Sequence, residues 1–388
     1  MLDFAPEGVV REVRLDGVAT AFSHERGHLV VPDLPRGPVD LAIAFEAGDG
    51  PLNRRDDFLY TLFVPDRAHE AFPAFDQPDL KARFTLQLTV PRSWRAVANG
   101  AESSRQEEEP GLVVYRFQET EPIPTYLFAF ATGRFEVEEA VRSGRTLRLL
   151  HRETDAEKVA RNRAAIFDLH ATALAWLEEY TGIPYPFGKF DFVAIPSFQY
   201  GGMEHPGAIL YRADGLFLDE SATRNEELGR ASVIAHETAH MWFGDLVTMP
   251  WFDDVWMKEV FANFMAARIV NPSFPDIDHE LRFLLAHYPA AYSVDRTAGA
   301  NPIRQPLANL DDAGSLYGAI IYQKAPIVMR QLETLTGVEA FRDGMREYLT
   351  KFSYGNATWV DLIEILDALS PQDLAAWSRV WVEESGRP

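Results

Sequence analysis

Along the first 150 residues, apolar and polar positions alternate in short runs. Val9–Leu15, Val39–Phe45, Ala82–Val90 and Leu112–Phe117 each have strand length. Between such runs lie Asp16-Gly17, Pro35-Arg36-Gly37, Gly48-Asp49-Gly50-Pro51 and Asn99-Gly100. These residues fix φ or tolerate positive φ, and so punctuate strands. After Asp155 the apolar period lengthens to three or four, and Glu157–Tyr180 and Phe341–Phe352 read as amphipathic helices. One β-rich island interrupts them: Phe190–Ile195 and Ala208–Tyr211 flank Gly201-Gly202-Met203-Glu204-His205-Pro206. The pattern predicts a β domain over residues 1–150, followed by a mostly helical domain with a small sheet over 151–388.

Composition narrows the function. The chain has 388 residues, 47% hydrophobic and 24% charged, enough for two or three domains with soluble, globular character. No apolar run approaches the roughly 18 residues of a membrane span. The start has neither a basic segment nor an apolar one after it, so no signal peptide is expected and a cytoplasmic location is the default. A monomer is the default assembly. The net charge of −21 argues against nucleic acid and anionic membrane as partners, and suits a cationic group such as a peptide's amine. With no cysteine, any metal must rest on His, Asp or Glu.

Candidate chemistry sits on a predicted helix over Glu226–Gly244, where Thr223 and Glu226 fit a capping box. It carries His236-Glu237-Thr238-Ala239-His240. A spacing of four puts both imidazoles on one face, able to grip one ion, with Glu237 beside them as a base for a metal-bound water. The plainer reading is a pair of helix histidines satisfied by surface partners. Eighteen residues separate His240 from Glu259, which lies on a second run, Asp253–Phe264, that reads as an amphipathic helix. Two imidazoles, one carboxylate and a water make a four-coordinate catalytic zinc site, so one Zn2+ is the expected cofactor. Asn263, one turn beyond Glu259, is placed to support a ligand.

Five blocks in order, Ala71–Ala82, Gly201–His205, His236–Met249, Lys258–Ala262 and Tyr322–Ala325, resemble the M1 family of aminopeptidases, a gluzincin family. The resemblance implies a multidomain α+β protein: an N-terminal all-β, sandwich-like domain, then a thermolysin-like catalytic domain of helices and a small mixed sheet. It implies hydrolysis of the N-terminal bond of peptide substrates, with zinc on His236, His240 and Glu259 and Glu237 as general base. Tyr322 would stabilise the oxyanion, with Tyr317 also facing the site. Glu204 would bind the substrate α-amine, Gly201 and Gly202 would admit its backbone along a strand edge, and Met203 and His205 would shape the first side-chain pocket.

The sequence departs from the family pattern at several positions. His205 and Lys258 stand where relatives commonly carry Asn, and Val260 where they carry Gly. Leu62 and Val64 replace polar residues that help hold the amine. The β domain is expected to begin part-way through the family pattern, and the helical C-terminal domain of many relatives is expected to be absent. An endopeptidase of the thermolysin kind shares the zinc ligands and base, but an amine anchor at Glu204 would block internal sequences. A non-catalytic scaffold would be expected to have lost ligands that are all present.

Overall fold

The computed structural model describes residues 1–386; residues 387 and 388, the last two of the expected catalytic domain, lie outside the described residues. The N-terminal part is β-rich, with four three-stranded antiparallel sheets. Val9–Leu15 and Leu112–Phe117 form strands with the predicted bounds. The run read as Val39–Phe45 becomes Leu41–Glu46, because Asp40 is held in a turn: its amide donates to Asp16 Oδ1 at 2.9 Å and its carbonyl accepts from the Asp16 amide at 2.8 Å. Ala82–Val90 pairs as a strand only from Gln87, and Ala82 instead makes an isolated bridge to Ile123.

A five-stranded mixed sheet follows. Glu136–Arg142 and Arg145–His151 form a hairpin over Ser143 and Gly144, whose φ values of 50° and 78° match a tight two-residue turn. Arg145–His151 then runs parallel to Phe190–Ile195, which runs parallel to Ile209–Arg212, and Gly202–Met203 closes the edge antiparallel. All six residues of Phe190–Ile195 are buried, as a parallel strand covered on both faces requires. One strand of this sheet thus precedes residue 150, where the alternation pattern divides the chain, and a second, Arg145–His151, runs across it. Their own period-two pattern is indistinguishable from that of the β-rich part, whereas their pairing is with the later strands.

Nine α-helices pack around the sheet among the described residues: α1 (Ala156–Thr181), α2 (Ala213–Leu216), α3 (Arg224–His240), α4 (Trp256–Val270), α5 (His279–Asp295), α6 (Ala325–Thr336), α7 (Val338–Lys351), α8 (Trp359–Ala368) and α9 (Leu374–Ser378). The Asp155 side chain caps α1, and Gly182 ends it at φ 71°. The predicted capping box of α3 forms, Thr223 and Glu226 exchanging bonds. α3 ends four residues before Gly244 because the chain turns back, Asp245 N donating to His240 O at 3.1 Å. α4 is not amphipathic at its start: Trp256–Ala262 are all buried, since this helix crosses the interior between α3 and α6. One apolar core runs from Phe58, Leu62 and Tyr126 of the β-rich part through the sheet and helices to Val382. Among the described residues no helix is long and apolar enough to cross a membrane.

Candidate metal centre and active site

The last turn of α3 and the first turns of α4 meet at the floor of a cavity of about 1410 Å³, and the edge strand Gly202–Met203 forms part of its wall. His236 Nε2 and His240 Nε2 lie 3.0 Å apart. Glu259 Oε2 is 3.5 Å from the first and 4.0 Å from the second. Behind them, His240 Nδ1 faces the Phe243 carbonyl at 3.1 Å and His236 Nδ1 faces Asn263 Oδ1 at 3.2 Å. Both partners are acceptors, so each Nδ1 carries the proton and each Nε2 turns a lone pair toward the same point. Two imidazole lone pairs and a carboxylate oxygen converging within 4.8 Å fit a zinc ion.

Electrostatics at the centre follow from burial and from three carboxylates. Burial pushes the Glu237 carboxyl up to about 8 and the His240 imidazole down to about 4. At His236 burial is the largest single influence and opposes protonation, but the accepting Glu259 carboxylate together with the charges of Glu237 and Glu204 outweighs it and raises the pKa. Glu237 is 4% exposed and its carboxylate fills the space in front of Gly202. A Cβ built on Gly202 would stand 2.4 Å from Glu237 Oε1, whereas at Gly201 the nearest atom is Val233 Cγ2 at 3.4 Å. Gly202 is therefore required by the base, beyond any need for close substrate approach.

Glu204 follows the edge strand, is 3% exposed, and lines the cavity. Lys258 Nζ donates to its Oε1 at 2.5 Å and lies 3.0 Å from Glu259 Oε1. Burial works against the charge on Glu204, yet Lys258 holds its carboxyl down to about 2. Gly201, Gly202 and Met203 line the cavity with it, as do Tyr317 and Tyr322. Tyr322 lies in a π-helical turn, Ile320–Lys324, that runs into α6; such turns recur at functional sites. Burial raises the pKa of both tyrosines, so each remains a hydroxyl donor.

Two sequence-selected positions lie elsewhere. His205 is fully buried behind the wall, both ring nitrogens without a partner among the described residues, because the chain turns away there: Ala208 N donates to His205 O. Leu62 belongs to the core, while Val64 reaches the cavity. The Lys258 ion pair is what sequence reasoning missed. Its only signal was a charged residue inside an apolar helical run beside a ligand.

A β-rich part, a mixed sheet, and a His-Glu-x-x-His helix joined by a glutamate from the next helix are the arrangement that the gluzincin resemblance implies. The chain belongs to peptidase family M1: the Peptidase family M1 domain matches residues 166–381, and the Peptidase M1 N-terminal domain matches residues 50–127. It is 34% identical to the leucyl aminopeptidase of Saccharolobus solfataricus over 330 residues, 85% of this chain and 41% of that protein. It is 33% identical to the aminopeptidase N of Streptomyces lividans over 397 residues, 97% of this chain and 45% of that protein. The puromycin-sensitive aminopeptidase of Caenorhabditis elegans is 33% identical over 340 residues, 87% of this chain and 35% of that protein. The chain thus spans less than half the length of these relatives.

Proposed function

We propose that this chain is a zinc-dependent aminopeptidase that hydrolyses the N-terminal bond of peptides. The observation that carries the reading is the buried Glu204 carboxylate, an oxygen of which lies within 4.8 Å of a Glu237 oxygen and a His240 ring nitrogen. A carboxylate that close to the reacting centre leaves room for one residue before the scissile bond, which suits a free N-terminus. His236, His240 and Glu259 would hold the ion, and the chemistry it supplies when bound is Lewis acidity toward water and carbonyl oxygen. Glu237 takes a proton from the attacking water on its carboxylate and returns it to the departing amine nitrogen. Tyr322 donates its hydroxyl to the oxygen of the carbonyl under attack. Glu204 holds the substrate amine, and the free edge of Gly202–Met203 takes the backbone.

Aminoacyl-arylamides tested against the same set N-acetylated give the direct check. Wild type is expected to cleave only the free-amine set, and Glu204→Gln to lose about 10–100-fold in kcat/KM. Equal cleavage of the acetylated set would make the protein an endopeptidase instead.

The Gly202 geometry gives a second expectation. Gly202→Ala displaces the Glu237 carboxylate and should lower kcat about 100-fold with zinc content unchanged, while Gly201→Ala stays near wild type. Similar kcat values for the two alanine variants would refute the steric account.

A further inference from the structure

Lys258 immediately precedes the ligand Glu259, and its ammonium sits where none of the proposed roles needs a cation. Its Nζ bridges Glu204 Oε1 at 2.5 Å and Glu259 Oε1 at 3.0 Å, and lies 5.6 Å from the centre of the buried Tyr126 ring. The side chain is 5% exposed. Its stem is braced against Gly244 (φ 133°), where an added Cβ would meet Lys258 Cβ at 3.2 Å. Lys258 nevertheless lines the cavity beside Glu204. The carboxylate assigned to the substrate amine therefore already holds an ammonium. Val64, which also lines the cavity, offers no further acceptor side chain.

We propose that Lys258 is a specificity-determining residue: as a resident counter-ion of Glu204, it makes the anchor recognise the substrate's N-terminal group as a neutral hydrogen-bonding group rather than as an ammonium. The proposal rests on the aminopeptidase reading. A second ammonium on Glu204 would stand next to the first at a buried ion pair, where like charges repel strongly. A neutral amine gives an N–H to the second Glu204 oxygen and accepts an N–H from Lys258 on its lone pair. An α-hydroxyl offers the same two functions, so the substrate class widens to peptides beginning with an α-hydroxy acid.

Amine and hydroxyl are close in size, so comparing them isolates charge from length. Leucinamide and its α-hydroxy counterpart, 2-hydroxy-4-methylpentanamide, are titrated calorimetrically into the zinc-loaded protein at pH 6.5, where the amine, with a pKa of about 7.7–8.0, is mostly protonated. The matching p-nitroanilides are assayed for turnover. Only about one amine in twenty to thirty is neutral at that pH, so wild type is expected to bind the hydroxy amide as tightly as leucinamide or up to about 30-fold more tightly. Lys258→Met, which keeps the packed stem, and Lys258→Asn should both shift that ratio toward the ammonium ligand by about 30-fold or more. A wild-type preference for leucinamide beyond tenfold would overturn the proposal without any variant. So would an unchanged ratio in zinc-replete variants. Failure of the aminopeptidase reading is separable: no leucine arylamide would then be cleaved, or the acetylated set would be, whichever residue stands at 258.

Discussion

Glu237→Gln should lower kcat on aminoacyl-arylamides by on the order of 10²–10⁴-fold while leaving zinc content and fold unchanged. The substitution is nearly isosteric. It preserves the contact with Gly202, against which the Glu237 carboxylate is wedged, and leaves both imidazoles and Glu259 untouched. What disappears is the group that accepts and returns a proton. Because the side chain is buried at 4% exposure, bulk water has little room to substitute for it. Zinc content, circular dichroism and kcat measured on one preparation decide the matter. Residual turnover within about tenfold of wild type would mean that another group serves as the base.

The second large effect concerns the ion itself. His240→Ala removes one of three converging donors and should abolish stoichiometric zinc binding together with turnover. Asn263→Ala removes only the acceptor behind His236, and a partner of that kind typically accounts for about 10–100-fold in metal affinity. The two variants should therefore separate clearly in a competition titration against a chelator. Stability gives an independent reading, since an ion that binds only the native state adds about 4 kcal/mol at a free concentration a thousandfold above Kd. Chelation should lower Tm in wild type and barely change it in His240→Ala. A His240→Ala protein that retains one zinc with wild-type affinity would exclude this donor set.

The features legible in the sequence were those fixed by neighbours along the chain. The Thr223–Glu226 box, the four-residue spacing of His236 and His240, and the strand at Phe190–Ile195 each depend on local periodicity. Glu259 was reachable because one short connection brings α4 back against α3. Contacts between distant segments were not legible. Glu204 and Lys258 are 54 residues apart, and only the register of the edge strand against the start of α4 makes them partners. His205 was read with its neighbours as cavity wall, yet the turn after Met203 takes it into the interior. The textural change near residue 150 coincides with the onset of helices at α1. The sheet itself ignores it, because hydrogen bonding between parallel strands leaves no trace in the alternation of either one.

That sheet carries a consequence for how the molecule holds together. Its strand Phe190–Ile195 is saturated on one side only because Arg145–His151 lies against it. A chain cut at residue 150 would leave this fully buried strand with a bare row of amides and carbonyls, a template for pairing with another copy. With the core also continuous from Phe58 to Val382, the β-rich and helical parts are expected to melt in a single cooperative transition, as one foldon rather than two beads on a string.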